Sequence, residues 1–428
     1  MQLAKASSVA LLFSIILVSI SPAQEQATTL IAAGAIADSV TAADTDPTYN
    51  ALLKREHGDF VRALQTKGET LSQQVIDKAR QSSALADLEW LKASGYDFAT
   101  KAAQADGIKI LSPFITLPRW ILDQNDIIAT EINHDAIAAQ QEHALFDADE
   151  VPFLFFPAEA LGARLGDAFL RAYEKGEIKK AAALIKATEV STGAAKSYFN
   201  YPRPFLIDGN SIVLVKDAYV AKDGAPYGAT GGAFPSGHTN TGYTDGLLLA
   251  EMLPERFLPL IARAAGYGYS RIVLGVHYPL DVIGSRMIAE RNVAHYLNDP
   301  KYHALFVEAR DELRGALEKE CGEKLAACAK PSDAKSDPWG APAQRIFYRF
   351  TLTYDLPQIG TKDAAMLVPD GVEVLLETLR PDLPVAERRV ILRSTELASG
   401  YPLDSQNSET GFWQRINLYD AALEAEQR

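Results

Sequence analysis

The sequence predicts an all-α fold, and three observations carry that expectation. Leu161, Leu165 and Phe169 recur at intervals of four, which marks one face of a helix. The stretches Leu247 to Ala265 and Val282 to Leu297 are long and mainly helical in pattern, with Pro254 opening a new segment in the first. Sustained alternation of the strand type is missing, apart from Ile212 to Val215, a candidate for a short hairpin inside a long loop. Residues 303–319 add a further helix of alternating charged and apolar groups, and no internal repeat interrupts the pattern.

The chain has 428 residues, 47% hydrophobic and 23% charged, an ordinary globular composition with enough apolar material for a sizeable core. Residues 1–23 stand apart. Lys5 supplies a positive start, Val9 to Ile20 is a short apolar run, and Ser21-Pro22-Ala23 places small residues before a cut. The run is shorter than the roughly 20 residues of a spanning helix, so the segment is expected to be a cleaved signal peptide and the protein periplasmic or secreted. No later segment is long and apolar enough to span a membrane. The formal net charge is −13, and loss of Lys5, the only charged side chain in 1–23, takes it to near −14. That balance argues against nucleic acid or anionic lipid as a general partner. It also requires any anion site to be locally basic.

The chain is expected to divide into an N-terminal helical extension at 24–110, a catalytic helical core at 111–320, and a C-terminal extension at 321–428 that packs on the core. Residues 329–344, rich in Pro, Ser, Asp and Ala, read as a linker or long surface loop. Beyond them, 371–379 and 384–395 read as short helices, and the aromatic stretch 411–419 is expected to pack back on the body. Cys321 and Cys328 are the only cysteines. In a straight helix their alpha carbons would stand about 10.5 Å apart, too far for a bridge. Gly322 between them can break the helix, and an exported chain favours a disulfide over a metal site.

Three clusters carry chemistry: Lys196-x6-Arg203-Pro204, Pro235-Ser236-Gly237-His238 and Ser270-Arg271-x5-His277-x3-Asp281. Lys196, Arg203 and Arg271 can surround one dianion, the guanidinium forks matching phosphate oxygens. Pro204 pushes Arg203 towards an extended backbone. Ser236 can cap a helix whose free amides bind an anion, with Gly237 allowing close approach. Asp281, four residues after His277, can hold one ring nitrogen protonated and leave the other to attack. His238 supplies a second imidazole, suited to general acid work.

These motifs resemble the type 2 phosphatidic acid phosphatase superfamily, which includes bacterial class A nonspecific acid phosphatases and vanadium haloperoxidases. Every fixed position of K-x6-RP, PSGH and SR-x5-H-x3-D is present. With usage of roughly one in twenty per residue type, PSGH alone recurs by chance at about one position in 10⁵. The motifs cover 196–281. The resemblance implies an all-helical bundle with the site at its core, and a phosphomonoesterase in which His277 takes up the phosphoryl group. Asp281 would orient His277, and His238 would protonate the leaving alcohol. Lys196, Arg203, Arg271, Ser236 and the Gly237 amide would hold the phosphate. No metal or other cofactor is implied, because the three cations neutralise the charge. The alternative within the superfamily is a haloperoxidase holding vanadate in the same cradle. The PSGH-Thr239 form is close to the class A pattern, whereas Phe234 stands where that pattern has Tyr, and this chain is longer than class A enzymes.

The expected partner is a small phosphomonoester, with a homo-oligomer left open. His57, His134, His143, His295 and His303 form no ligand-spaced cluster and read as surface or structural. The Gly-rich loop 206–234 fits either a lid over the site or an inert excursion.

Overall fold

A computed structural model describes residues 22–41, 47–66, 69–72, 85–149, 154–216, 220–221, 232–365, 367–405 and 412–428. The expected signal segment lies outside the described residues except for Pro22 and Ala23, which open the first helix. Most of the Gly-rich loop, 217–219 and 222–231, is outside them too, as is the side chain of His57.

Helices carry the fold. In chain order they are α1 Pro22–Ser39, α2 Pro47–Leu64, α3 Leu88–Ala93, α4 Lys101–Ile110, α5 Arg119–Asp135 and α6 Ala138–Asp149. Then come α7 Ala163–Glu174, α8 Lys179–Thr188, α9 Gly193–Phe199, α10 Gly237–Met252, α11 Phe257–Val273 and α12 Pro279–Leu297. The last are α13 Pro300–Cys321, α14 Leu325–Cys328, α15 Gln344–Thr351, α16 Val385–Thr395 and α17 Leu418–Gln427. The strands among the described residues are Gln65–Thr66, Glu69–Ser72 and Val220–Ala221, the first pair antiparallel and the second parallel. Ile212 to Val215 forms no hairpin. It runs extended, and both the amide and the carbonyl of Val213 bond the side chain of Asn133, at 2.7 and 2.8 Å. Ile212, Leu214 and Val215 pack on the core while Val213 faces out, so the alternation is real but no second strand pairs with it among the described residues.

The centre of the molecule is α10, α11 and α12, each buried along nearly its whole length. Helices buried on every face need close neighbours, and glycine supplies the approach between the first two. A Cβ on Gly242 would lie 2.5 Å from the Tyr267 ring, and one on Gly246 would lie 2.9 Å from Ala264. α6 packs on α11, while α13 covers α7 and α8.

The last helices close over this core. Arg286 on α12 is fully buried, bonded to Glu290 at 2.9 Å and to the carbonyls of Gln414 and Ile416 at 2.9 and 3.2 Å. Phe412 to Tyr419 are buried accordingly. Of the linker or long surface loop expected at 329–344, residues 330–335 are exposed, but the stretch is anchored to the body beyond them. Asp337 and Trp339 are buried, and Asp337 pairs with buried Arg256 at 2.7 and 2.5 Å. Its Pro- and Asp-rich composition builds two short 3₁₀ turns, at 334–336 and 338–340, rather than a solvated tether. Of the two short helices expected beyond it, the first is a 3₁₀ turn over Val372–Leu376 and the second is α16. Gly322, in the left-handed region at φ 72°, ends α13, and Cys321 and Cys328 are joined as a disulfide across 6.2 Å between alpha carbons.

Glu251, at the end of α10, is buried and accepts a hydrogen bond from Thr378 Oγ1 at 2.5 Å. Burial pushes its carboxyl up from 4.5 to about 8, the Thr378 bonds only partly opposing it. A raised folded-state value means full compatibility below about pH 4.5 and a growing penalty as pH rises through about 8. Glu251→Gln is therefore expected to raise the thermal midpoint at pH 8 by on the order of 2 °C and to leave it unchanged near pH 4. Equal shifts at both values would overturn this reading.

Candidate active site

The site is built where three helix ends meet. Gly275, at φ +74°, turns the chain out of α11. Pro279 opens α12 two residues after His277, its fixed φ suiting a first helical position. The turn therefore leaves His277 just outside α12 with Asp281 in its first turn. Asp281 Oδ2 accepts two bonds of 2.9 Å, from the Tyr278 amide and from His277 Nδ1. A carboxylate only accepts, so Nδ1 carries the proton. Nε2 then presents its lone pair, and it lies 3.4 Å from Arg203 Nη1.

Arg203 is extended ahead of Pro204, at φ −71° and ψ 151°, and its guanidinium also donates to the Val276 carbonyl at 3.1 Å. Lys196 projects from α9, where Nζ bonds the carbonyls of Gly232 and Ala233 at 2.7 and 3.2 Å. Arg271 is buried in the last turn of α11. Ser236 is the N-cap of α10, its Oγ accepting the Thr239 amide at 3.2 Å. Gly237 follows as the first helical residue; a Cβ there would come within 3.3 Å of the Thr192 hydroxyl. The second and third motifs are stitched by their backbones, Ser236 N to Asp281 O at 3.2 Å and Ser285 Oγ to Ser236 O at 2.6 Å. His238 is half-buried, with Nε2 donating to the Ala148 carbonyl at 2.9 Å.

Electrostatics tie these groups together. Burial holds the His277 imidazole well below its ordinary 6.5, and the charges of Arg203, Lys196, Arg271 and His238 push it further the same way. All four cationic groups therefore act on one ring. Burial also draws Lys196 down to about 7, with Arg203 adding to that and Asp281 opposing it. Burial pushes the Asp281 carboxyl up, while the Tyr278 amide, Lys196 and Arg203 pull it back. The arrangement is a neutral, oriented imidazole facing a cationic wall, which suits a tetrahedral oxyanion. Among the described residues no group of three or more His, Cys, Asp and Glu side chains is placed to hold a metal ion.

Other residues support the site without any signal in the motifs. Ser270 Oγ donates to Asp147 Oδ2 at 2.5 Å. Asp147 in turn pairs with Arg263, bonded through Nη2 and, at 3.2 Å, through Nη1. Glu159 contacts Arg263 and accepts from His143 Nε2 at 2.9 Å. Arg263, Asp147 and Glu159 are completely buried. Asp147 thus holds the residue before Arg271 and adjoins Ala148, whose carbonyl holds His238. His143, expected to be surface or structural, belongs to this interior network. A lone Asp in a helix reads as a surface charge, and only its buried partner reveals it.

Residues 179–302 match the model of the PAP2 superfamily, and all eight candidate site residues fall inside the match. Within that class the similar proteins are bacterial acid phosphatases. A non-specific acid phosphatase of Providencia stuartii is 31% identical over 29% of this chain and 48% of its own length. One of Salmonella typhimurium is 30% identical over 32% of this chain and 52% of its own. An acid phosphatase of Zymomonas mobilis is 33% identical over 29% and 44%. The chain spans about half the length of the curated relatives it matches. Among the described residues no helix is long and apolar enough to cross a membrane.

Proposed function

We propose that the protein is an exported acid phosphatase that hydrolyses small phosphomonoesters through a phosphohistidine on His277, without a metal ion. The observation that carries this reading is the His277 ring, held by Asp281 at Nδ1 with Nε2 turned to Arg203. The Nε2 lone pair attacks phosphorus, the bond from phosphorus to the alcohol oxygen breaks, and His238 gives that oxygen a proton. Water then attacks the phosphohistidine, its proton passes to His238, and the nitrogen–phosphorus bond breaks to return His277. Lys196, Arg203 and Arg271 balance charge on the equatorial oxygens throughout. Export is supported by the pattern of residues 1–23 and by a disulfide suited to an oxidising compartment. The acid phosphatase names of the relatives support hydrolysis over halide oxidation.

The test is turnover of p-nitrophenyl phosphate by the chelator-treated protein, with trapping of an acid-labile, alkali-stable phosphoenzyme. Bromide oxidation with peroxide and vanadate, in the absence of ester hydrolysis, would reject the proposal.

The pH dependence follows from two groups. His277, held well below 6.5, stays unprotonated into acid. Lys196, drawn down to about 7, loses its charge as pH rises through that value. The ratio kcat/KM is therefore expected to hold on the acid side and to fall above about pH 7. In Lys196→Arg the alkaline limb should move up by at least about one unit, because guanidinium keeps its proton. A limb that stays near 7 in that variant assigns it elsewhere.

A further inference from the structure

Beside the acid His238 lies a cavity of about 320 Å³ whose lining is polar except for Val190. One wall is the first turn of α10, with Gly237, His238 and Asn240. The other is the segment from Glu189 to Thr192 that leads into α9 and Lys196. The cavity therefore borders the proton donor His238 and, of the phosphate-site residues, Gly237, so the part of a substrate that departs with the His238 proton can reach it.

Two acceptors stand out in its lining. The Asn240 Nδ2 donates to the Val190 carbonyl at 2.9 Å, which fixes the amide and leaves Oδ1 as an acceptor. That oxygen is buried and has no hydrogen-bond partner among the described residues. A buried unsatisfied carbonyl is costly unless a ligand completes it. Glu189 is a second acceptor in the lining, where Oε2 takes a bond from Lys186 at 2.9 Å. The hydroxyls of Ser191, Thr192 and Thr241 can donate or accept.

We propose that this cavity is a leaving-group subsite selective for polyhydroxylated alcohols, the phosphorylated form being a sugar or polyol monophosphate. Asn240 Oδ1 and the Glu189 carboxylate accept hydroxyl donors of the leaving group. An alkyl chain cannot satisfy Asn240, and a polyanionic leaving group meets the charge of Glu189. The proposal rests on the phosphatase reading and adds the substrate class to it.

The test compares kcat/KM of the full chain for glucose 6-phosphate and for hexyl phosphate, both esters of primary alcohols. Pyrophosphate serves as the polyanionic case and p-nitrophenyl phosphate as the check on phosphatase chemistry. The sugar ester is expected to exceed hexyl phosphate by about tenfold, the value of one or two buried hydrogen bonds. Asn240→Leu should bring that ratio near one. Glu189→Gln, a nearly isosteric change, should lower it and raise pyrophosphate turnover relative to glucose 6-phosphate. It decides the matter should Asn240→Leu fail to fold. Equal efficiency on both esters, or ratios unmoved in the variants, would overturn the subsite while p-nitrophenyl phosphate is still cleaved. Loss of that cleavage in the unaltered protein would instead bring down the phosphatase reading beneath it.

Discussion

Replacing His277 with alanine is expected to lower turnover of p-nitrophenyl phosphate by on the order of 10⁴ or more and to abolish the phosphoenzyme, with the fold preserved. The fold should survive because Asp281 keeps its bond from the Tyr278 amide at 2.9 Å, and the helix start does not depend on the imidazole. The chemistry should not survive, because among the described residues no other imidazole is held at Nδ1 by a carboxylate with Nε2 against Arg203. Substitution of His238 should act differently. With the acid gone, esters of poor leaving groups such as alkyl phosphates should lose most, and nitrophenyl esters least. A labelled phosphohistidine that persisted in His277→Ala would refute the assignment outright, and equal losses across leaving groups in the His238 variant would refute the acid role.

Arg263→Met is expected to be the most damaging change outside the motifs. Arg263 is fully buried between Asp147 and Glu159; burial alone would disfavour its charge, but the two carboxylates more than offset this and keep it firmly protonated. Removing one partner of a buried ion pair costs about 3–5 kcal/mol, because the other is left charged in a poor solvent. Two carboxylates would remain here, with buried Glu56 close enough to act on both. Part of the loss should appear in catalysis, because Asp147 holds Ser270 at 2.5 Å and adjoins the carbonyl that holds His238. Denaturant melts should show a lower midpoint. In the surviving folded fraction, kcat should fall more than KM rises. A variant of wild-type stability and wild-type kcat would show the network to be inert.

The eight candidate site residues were legible because phosphoryl chemistry fixes both residue type and spacing, so Lys196, Arg203 and His277 could be named before any helix was placed. The helices were legible from period and punctuation, as with Pro254 and Gly322. What stayed hidden depends on partners distant in sequence. Asp147 and Arg263 are 116 positions apart, and Arg256 and Asp337 are 81 apart. Each alone has the composition of a solvated surface. For the same reason the stretch around Trp339 looked like a tether, although Trp339 lies against Gly266, where a Cβ would come within 2.6 Å of its ring. Asn240, one turn into α10, carried no signal at all, since its orientation follows from a backbone carbonyl fifty positions earlier.

The guanidinium of Arg286 has a temporal consequence. It sits five positions beyond Asp281 on the same helix, yet the carbonyls that solvate it belong to Gln414 and Ile416. During synthesis the helix bearing the nucleophile's orienting group must wait for residues made more than a hundred positions later. A chain interrupted before Gln414 would carry every signature motif and still lack the carbonyls that meet Arg286 inside the fold, so competence waits on synthesis well past the last motif.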